Sequence, residues 1–109
     1  MATIDDFKKL EVRIGRIAKV SEIEGAKSPV YRLSVQFGGE IGERTIVAGI
    51  RGAYTPEMLM EKKIACILNL EPKSVAGVVS EGMLLAADGE NGPVLIVPDG
   101  DAEEGSLVR

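Results

Sequence analysis

The chain has 109 residues, 45% hydrophobic and 28% charged, with one cysteine and no histidine. That length suits one domain, which buries roughly 65% of its unfolded surface without a staple. Without histidine neither a Ser-His-Asp nor a Cys-His triad can be assembled and the commonest metal ligand is missing, so no catalytic residue, metal site or cofactor is expected.

The net charge of −4 is unevenly spread. Residues 1–87 carry 12 basic and 11 acidic side chains, while residues 88–109 carry one and six. The acidity therefore lies in the tail, and a basic face remains open elsewhere. No segment reaches the ~18 to 20 apolar residues of a membrane span. The amino terminus lacks the apolar run of a signal peptide. Cys66, within Ile64-Ala65-Cys66-Ile67-Leu68, reads as a reduced thiol in a buried strand. A cytoplasmic, membrane-free protein is expected.

Thr3-Ile4-Asp5-Asp6 resembles a helix start, with Thr3 as cap and two carboxylates in the first turn, ending near Leu10. From Glu11 the period changes to two. Val12 and Ile14 alternate with Arg13, and Ile17 then falls on the other parity, so a bulge is expected at Gly15 in a long strand reaching about Ile23. A Gly/Pro loop covers residues 24–29. Residues 30–37 alternate cleanly, with Tyr31, Leu33, Val35 and Phe37 on one face and Arg32, Ser34 and Gln36 on the other. Residues 44–48 form a third strand. Thr55-Pro56-Glu57 starts a short helix. Residues 63–70 make a fourth strand, 83–88 a fifth, and 94–97 a peripheral sixth.

Three strands, a short helix and two more strands, the first long and bent, match the all-β five-stranded Greek-key barrel called the OB-fold, here with short helices and a carboxy-terminal extension. An SH3-like barrel or small sandwich has similar strand spacing, but the helix between strands three and four favours the OB order. The expected layout is one domain over 1–109, with the barrel at about 11–88 and extensions at 1–10 and 89–109.

The stretch Asn69-Leu70-Glu71-Pro72-Lys73 to Ser80-Glu81-Gly82-Met83 borders the nucleic-acid face of such a barrel. Lys73 can neutralise a phosphate, Asn69 and Ser80 can donate and accept, and Met83 offers a soft apolar surface. The same residues also suit turn fittings and core. Lys27, Arg44 and Arg51, in or beside loops, are weaker candidates for backbone contacts, and Arg32 adds a cation on the polar face of strand two. The aromatics are only Phe7, Tyr31, Phe37 and Tyr54, too few for stacking along an unwound strand, so folded RNA is the more natural nucleic-acid partner.

Asn69-Leu70-x-Pro72-Lys73, followed by Ala76-Gly77-x-x-Ser80-x-Gly82-Met83-Leu84-Leu85-Ala86-Ala87, resembles the signature of the structure-specific tRNA-binding domain. That domain occurs at the carboxy terminus of many methionyl-tRNA synthetases, in the endothelial monocyte-activating polypeptide group and in free-standing tRNA-binding proteins. Asp6-Phe7-x-Lys9-Leu10-x-Val12-Arg13-x-Gly15 and Glu43-Arg44-x-Ile46-Val47-Ala48-Gly49-Ile50 extend the similarity over nearly the whole chain. Ala26-Lys27-x-Pro29 is more similar to the CsaA-type free-standing proteins, described as secretion-related chaperones. Many members carry arginine before the glycine of the fourth-to-fifth loop, where this chain has Ala76. The resemblance implies a non-catalytic OB-fold that grips folded tRNA by shape and backbone, as a free-standing aminoacylation or tRNA-handling cofactor beside an aminoacyl-tRNA synthetase. It implies Asn69, Lys73, Ser80 and Met83 as RNA-binding residues, with Lys27, Arg44 and Arg51 behind them. The alternative is a CsaA-like chaperone for unfolded polypeptide. A homodimer is expected, as in free-standing members, because Ile4, Phe7 and Leu10 and the run Val94-Leu95-Ile96-Val97 would be covered by a two-fold interface.

Overall fold

Strand β1, Val12–Glu22, is the spine of the molecule. A computed structural model describes all 109 residues. β1 pairs antiparallel with β2, Tyr31–Gln36, along its second half and with β4, Lys63–Ile67, along its first half. β3, Glu43–Ala48, lies outside β2, and β7, Met83–Leu84, outside β4, giving the order β3-β2-β1-β4-β7. The two outer strands approach each other to leave a nearly closed antiparallel barrel of the OB kind.

The bulge lies at Ala18 and not at Gly15. β1 and β4 pair without a break from Val12↔Ile67 to Arg16↔Lys63, and the β1–β2 register shifts between Ile17 and Lys19. The parity change at Gly15 has another cause, because both faces of β1 are covered. Ile17 faces the barrel core with Leu33, Val35, Phe37, Ile46 and Ile64. Val12 and Ile14 face outward with Ala65 and Ile67, into a second small core. Gly15 is required by close packing instead. A Cβ there would stand 2.5 Å from Val35 Cγ1 and 2.6 Å from Phe37 Cε1.

The outer core exists because the carboxy-terminal segment folds back as a strap. Ile14 N–H donates to Ser106 O (2.9 Å), Gly105 N–H to Ile14 O (2.7 Å) and Val108 N–H to Val12 O (2.8 Å). These bonds fill the edge of β1 that β2 does not reach. Leu85, Ala102 and Val108 cover the apolar face. Glu104 pairs with Arg16, and Asp101 with Lys63. The Glu104 hydrogen bond raises the Arg16 pKa further above its ordinary value. The segment expected to lie against a second subunit thus packs, over residues 101–108, on its own barrel.

Local chemistry sets both helices. α1, Ile4–Lys8, begins in a capping box: Asp6 N–H donates to Thr3 Oγ1, and Thr3 N–H donates to Asp6 Oδ2 at 2.9 Å. That backbone bond, above all, holds the Asp6 carboxyl below its ordinary pKa. α2, Pro56–Leu59, is capped by Thr55 and plugs the barrel with the fully buried Leu59. The expected fifth strand is broken at Leu85 into β7 and β8, Ala86–Gly89, which forms a hairpin with β9, Gly92–Leu95. Leu85 joins the two ladders: its N–H donates to Ala65 O of β4, while its carbonyl accepts from Ile96 N–H just beyond β9, both at 3.0 Å. Of the apolar run at 94–97 only Leu95 is buried; Val94, Ile96 and Val97 are exposed.

Candidate functional site

The loop expected between the fourth and fifth strands contains a hairpin of its own. β5, Lys73–Val75, pairs with β6, Val78–Ser80, in the register Lys73↔Ser80, Ser74↔Val79, Val75↔Val78. Its tip is the two-residue turn Ala76-Gly77, with φ of 51° and 83°. Two positive φ values make this the tight hairpin turn whose twist matches the strands, usually built from Asn-Gly. β4 ends at Ile67, short of the expected residue 70, with Leu68 N–H donating to Glu11 O; Pro72, just before β5, donates no ladder bond.

The hairpin is fastened to β3 largely by side chains. Glu81 N–H donates to Thr45 O at 2.8 Å, and Thr45 N–H donates back to the Glu81 Oε1 carboxylate oxygen at 3.0 Å. Val47 N–H donates to Ser80 Oγ at 2.9 Å, and the Ser80 hydroxyl donates on to Gly82 O at 2.9 Å. Arg44 Nη1 donates to Leu68 O (2.9 Å) and Glu81 O (3.3 Å). At Gly82 the chain passes so close to the barrel that a Cβ would lie 2.9 Å from both Ile67 O and Ile46 Cδ1.

This seam aligns residues from five strands. Ser21 opposes Arg32, Arg32 opposes Val47, Val47 bonds Ser80, and Ser80 opposes Lys73. The next row runs Lys19, Ser34, Thr45 and ends at Glu81. Leu33, Ile46 and Ala48 point into the core, so alternation puts Lys19, Ser21, Arg32, Ser34, Thr45 and Val47 on the outer face. At its end is a cleft of about 260 Å³ lined by Val47, Leu70, Glu71, Lys73, Val75, Ser80, Gly82 and Met83. Its lining is apolar apart from Lys73, Glu71 and Ser80.

The expected residues separate on this frame. Lys73 and Met83 are exposed at the cleft, Met83 by 47%. Ser80 also lines it but is buried, with its hydroxyl engaged as donor and acceptor within the chain. Asn69 is turned to the other side of β4. Its Oδ1 accepts from Glu11 N–H and its Nδ2 donates to Lys9 O, both at 2.7 Å, tying the α1–β1 link to the end of β4. Lys27 is exposed in the β1–β2 loop. Arg51, four residues beyond Val47, pairs with Glu22, and its N–H donates to Pro29 O. Arg32 and Lys19, outside the expected site, stand on the outer face, and neither they nor Lys27 nor Lys73 makes a salt bridge. The clean alternation of residues 30–37 was the signal for Arg32; the bulge at Ala18 hid the parity of Lys19.

Residues 12–107 match the family model described as "Putative tRNA binding domain". The chain belongs to this tRNA-binding domain family. Over 107 residues, 98% of the chain, it is 41% identical to the methionine–tRNA ligase of Pyrococcus furiosus, and it is 40% identical over 98% of its length to that of Nitrosomonas europaea. It spans only 14% and 15% of the length of those relatives. Among solved structures, the CsaA chaperone protein of Picrophilus torridus superposes with a TM-score of 0.94 at 37% identity, each chain covered completely. A MetRS-related protein of Pyrococcus horikoshii superposes with a TM-score of 0.89 at 36% identity, covering 100% of this chain and 98% of that one.

Proposed function

We propose that this protein is a non-catalytic tRNA binder that grips folded tRNA through phosphate contacts on the β1–β2–β3 face and the β5–β6 hairpin. Family membership supports tRNA as the ligand. The observation that carries the placement is the row in which Arg32 and Lys73, both without a carboxylate partner, flank Val47 and Ser80. Tyr31 and Phe37 are buried, and no aromatic side chain lines the Lys73 cleft. Recognition therefore rests on backbone charge and shape and not on stacking. Lys73, Met83, Lys27 and Arg51 are the proposed contacts among the expected residues, with Arg32 added. Asn69, Ser80 and Arg44 act by holding the chain that presents them.

The finer role is that of a free-standing cytoplasmic aminoacylation or tRNA-handling cofactor beside an aminoacyl-tRNA synthetase. The solved relatives that the chain covers nearly end to end support it, as does the methionine–tRNA ligase segment it resembles. A homodimer belongs to the same reading. It is supported by exposed Phe7, Leu10 and Leu107 around a cleft of about 340 Å³, and by exposed Ile4, Val94, Ile96 and Val97. Sedimentation equilibrium showing a monomer at tens of micromolar would remove it.

The second reading is a chaperone for unfolded polypeptide. It draws on the apolar floor of Val47, Leu70, Val75 and Met83, and on the solved relative named as a chaperone. The two readings part on salt. Binding to total tRNA that weakens steeply between low and moderate salt supports the first, because phosphate contacts release counterions. A protein that ignores tRNA and binds an unfolded, reduced polypeptide at both salt levels belongs to the second.

A further inference from the structure

A carboxylate beside an RNA-binding face is normally a liability, because it repels phosphate. Glu81 sits at that position, one residue after Ser80 and one before Gly82, and its carboxylate accepts a hydrogen bond from the edge of β3. We infer that Glu81 is a positioning residue: its side chain, with that of Ser80, clasps the β5–β6 hairpin to β3 and so sets where Lys73 meets the RNA. The inference rests on the tRNA-binding reading for its ligand, but its structural half stands apart from that reading.

In a regular antiparallel pair two facing residues exchange both backbone bonds. Thr45 and Glu81 make only half of that exchange with the backbone, at 2.8 Å from Glu81 N to Thr45 O. The return bond, from Thr45 N–H, goes to the Glu81 side chain at 3.0 Å. The Glu81 carbonyl faces the Arg44 guanidinium instead. Two residues along β3 the substitution recurs, with Val47 N–H bonded to Ser80 Oγ. Two edge donors of β3 are thus satisfied by side chains, where a continuous barrel would use carbonyls. Ser80 is the last residue of β6 and stands opposite Lys73, the first of β5. The clasp therefore acts at the base of the hairpin, directly across from the cation, while the Ala76-Gly77 tip projects free, with no atom within 4 Å of a Cβ built at Gly77.

The sign of one substitution separates this account from simple electrostatics. Glu81→Ala removes a negative charge from the binding face, so charge alone predicts tighter tRNA binding. The clasp predicts weaker binding, because Lys73 is no longer held. Glu81→Gln removes the same charge but keeps an oxygen acceptor for Thr45 N–H. Binding of total tRNA by full-length wild type, Glu81→Ala, Glu81→Gln and Lys73→Ala, each titrated over a salt series, reads both effects. The expected result is that Glu81→Ala loses affinity on the order of tenfold, about as much as Lys73→Ala, and that Glu81→Gln restores it. The salt slope of Glu81→Ala should flatten by about 0.9, one phosphate contact. Tighter binding by Glu81→Ala, or equal binding by the Ala and Gln variants, overturns the inference. Amide exchange without RNA reads the clasp by itself: Lys73 to Ser80 should lose protection in Glu81→Ala and keep it in Glu81→Gln. If wild type does not bind tRNA but this exchange pattern appears, the clasp stands and the ligand reading fails. Unchanged exchange in Glu81→Ala refutes the clasp whatever the ligand.

Discussion

The two sides of this barrel are built on different principles. On the strap side, β1 and β4 are covered on both faces and three cations are engaged, Arg16 by Glu61 and Glu104, Arg13 by Glu11 and Lys63 by Asp101, while Lys62 is left unpaired. On the hairpin side, β2 and β3 are covered on one face only, and Lys19, Arg32 and Lys73 make no salt bridge. Two acids of the tail, Asp101 and Glu104, pair with cations of the first side. A net charge of −4 therefore does not preclude the proposed RNA-binding face, where Lys19, Arg32 and Lys73 have no carboxylate partner. What matters for a polyanion is the local arrangement and not the sum.

Removing residues 101–109 attacks the strap side and should have the largest effect on stability. It deletes three backbone bonds to Val12 and Ile14 and uncovers the outer core. At about 1 kcal/mol net per bond, with the lost burial of Val108 added, the cost is about 3 to 5 kcal/mol. Urea unfolding reads it, and tRNA binding should persist in whatever fraction stays folded in the cold. Loss of binding by a still-folded truncated chain would show that the strap belongs to the site.

Cys66 lies in the core that both sides share, and burial pushes its thiol up to about 12 from an ordinary 9.0. The unfolded chain releases this proton near pH 9 and the folded chain does not. Stability is therefore unaffected below that pH and falls between about 9 and 12, by at most about 1.4 kcal/mol per pH unit. In the native state at pH 8 a thiol reagent should react far more slowly than in urea. Rapid native labelling would mean that the core opens on the β4 side.

A smaller effect is expected at the hairpin tip. Ala76 holds a φ of 51°, a left-handed conformation that costs an alanine roughly 1 kcal/mol and an asparagine less. Ala76→Asn should raise protection of the Val75 and Val78 amides a few-fold, read by hydrogen exchange, with the barrel amides unchanged. A matching rise throughout the barrel would show that the turn is coupled to the whole fold and not to the hairpin alone.

The contrast explains which parts were legible in the sequence. The helix caps at Thr3 and Thr55 and the alternation of residues 30–37 depend on neighbours within a few positions, and the structure has them as read. The β5–β6 hairpin was missed because Ala76-Gly77 lacks the usual turn chemistry and its strands are three residues each. The apparent slip at Gly15 misled because the covering strap lies about 90 residues away in the chain. Asn69 and Ser80 were visible as polar residues among apolar ones. Apart from Gly82, two residues beyond Ser80, their partners lie 58, 60 and 33 residues away, and little that is local says whether such a side chain bonds the chain or a ligand.

The central claim is that the hairpin side, and not the strap side, carries the RNA. The most direct test compares the salt dependence of tRNA binding in Lys73→Ala and Lys62→Ala. Both lysines lack a salt bridge, but Lys62 adjoins the strap-anchored Lys63 at the start of β4. The account predicts that Lys73→Ala flattens the slope of log affinity against log salt by about 0.9, for several different tRNAs alike, and that Lys62→Ala leaves it unchanged. An equal change in both variants, or a change in Lys62→Ala alone, would contradict it.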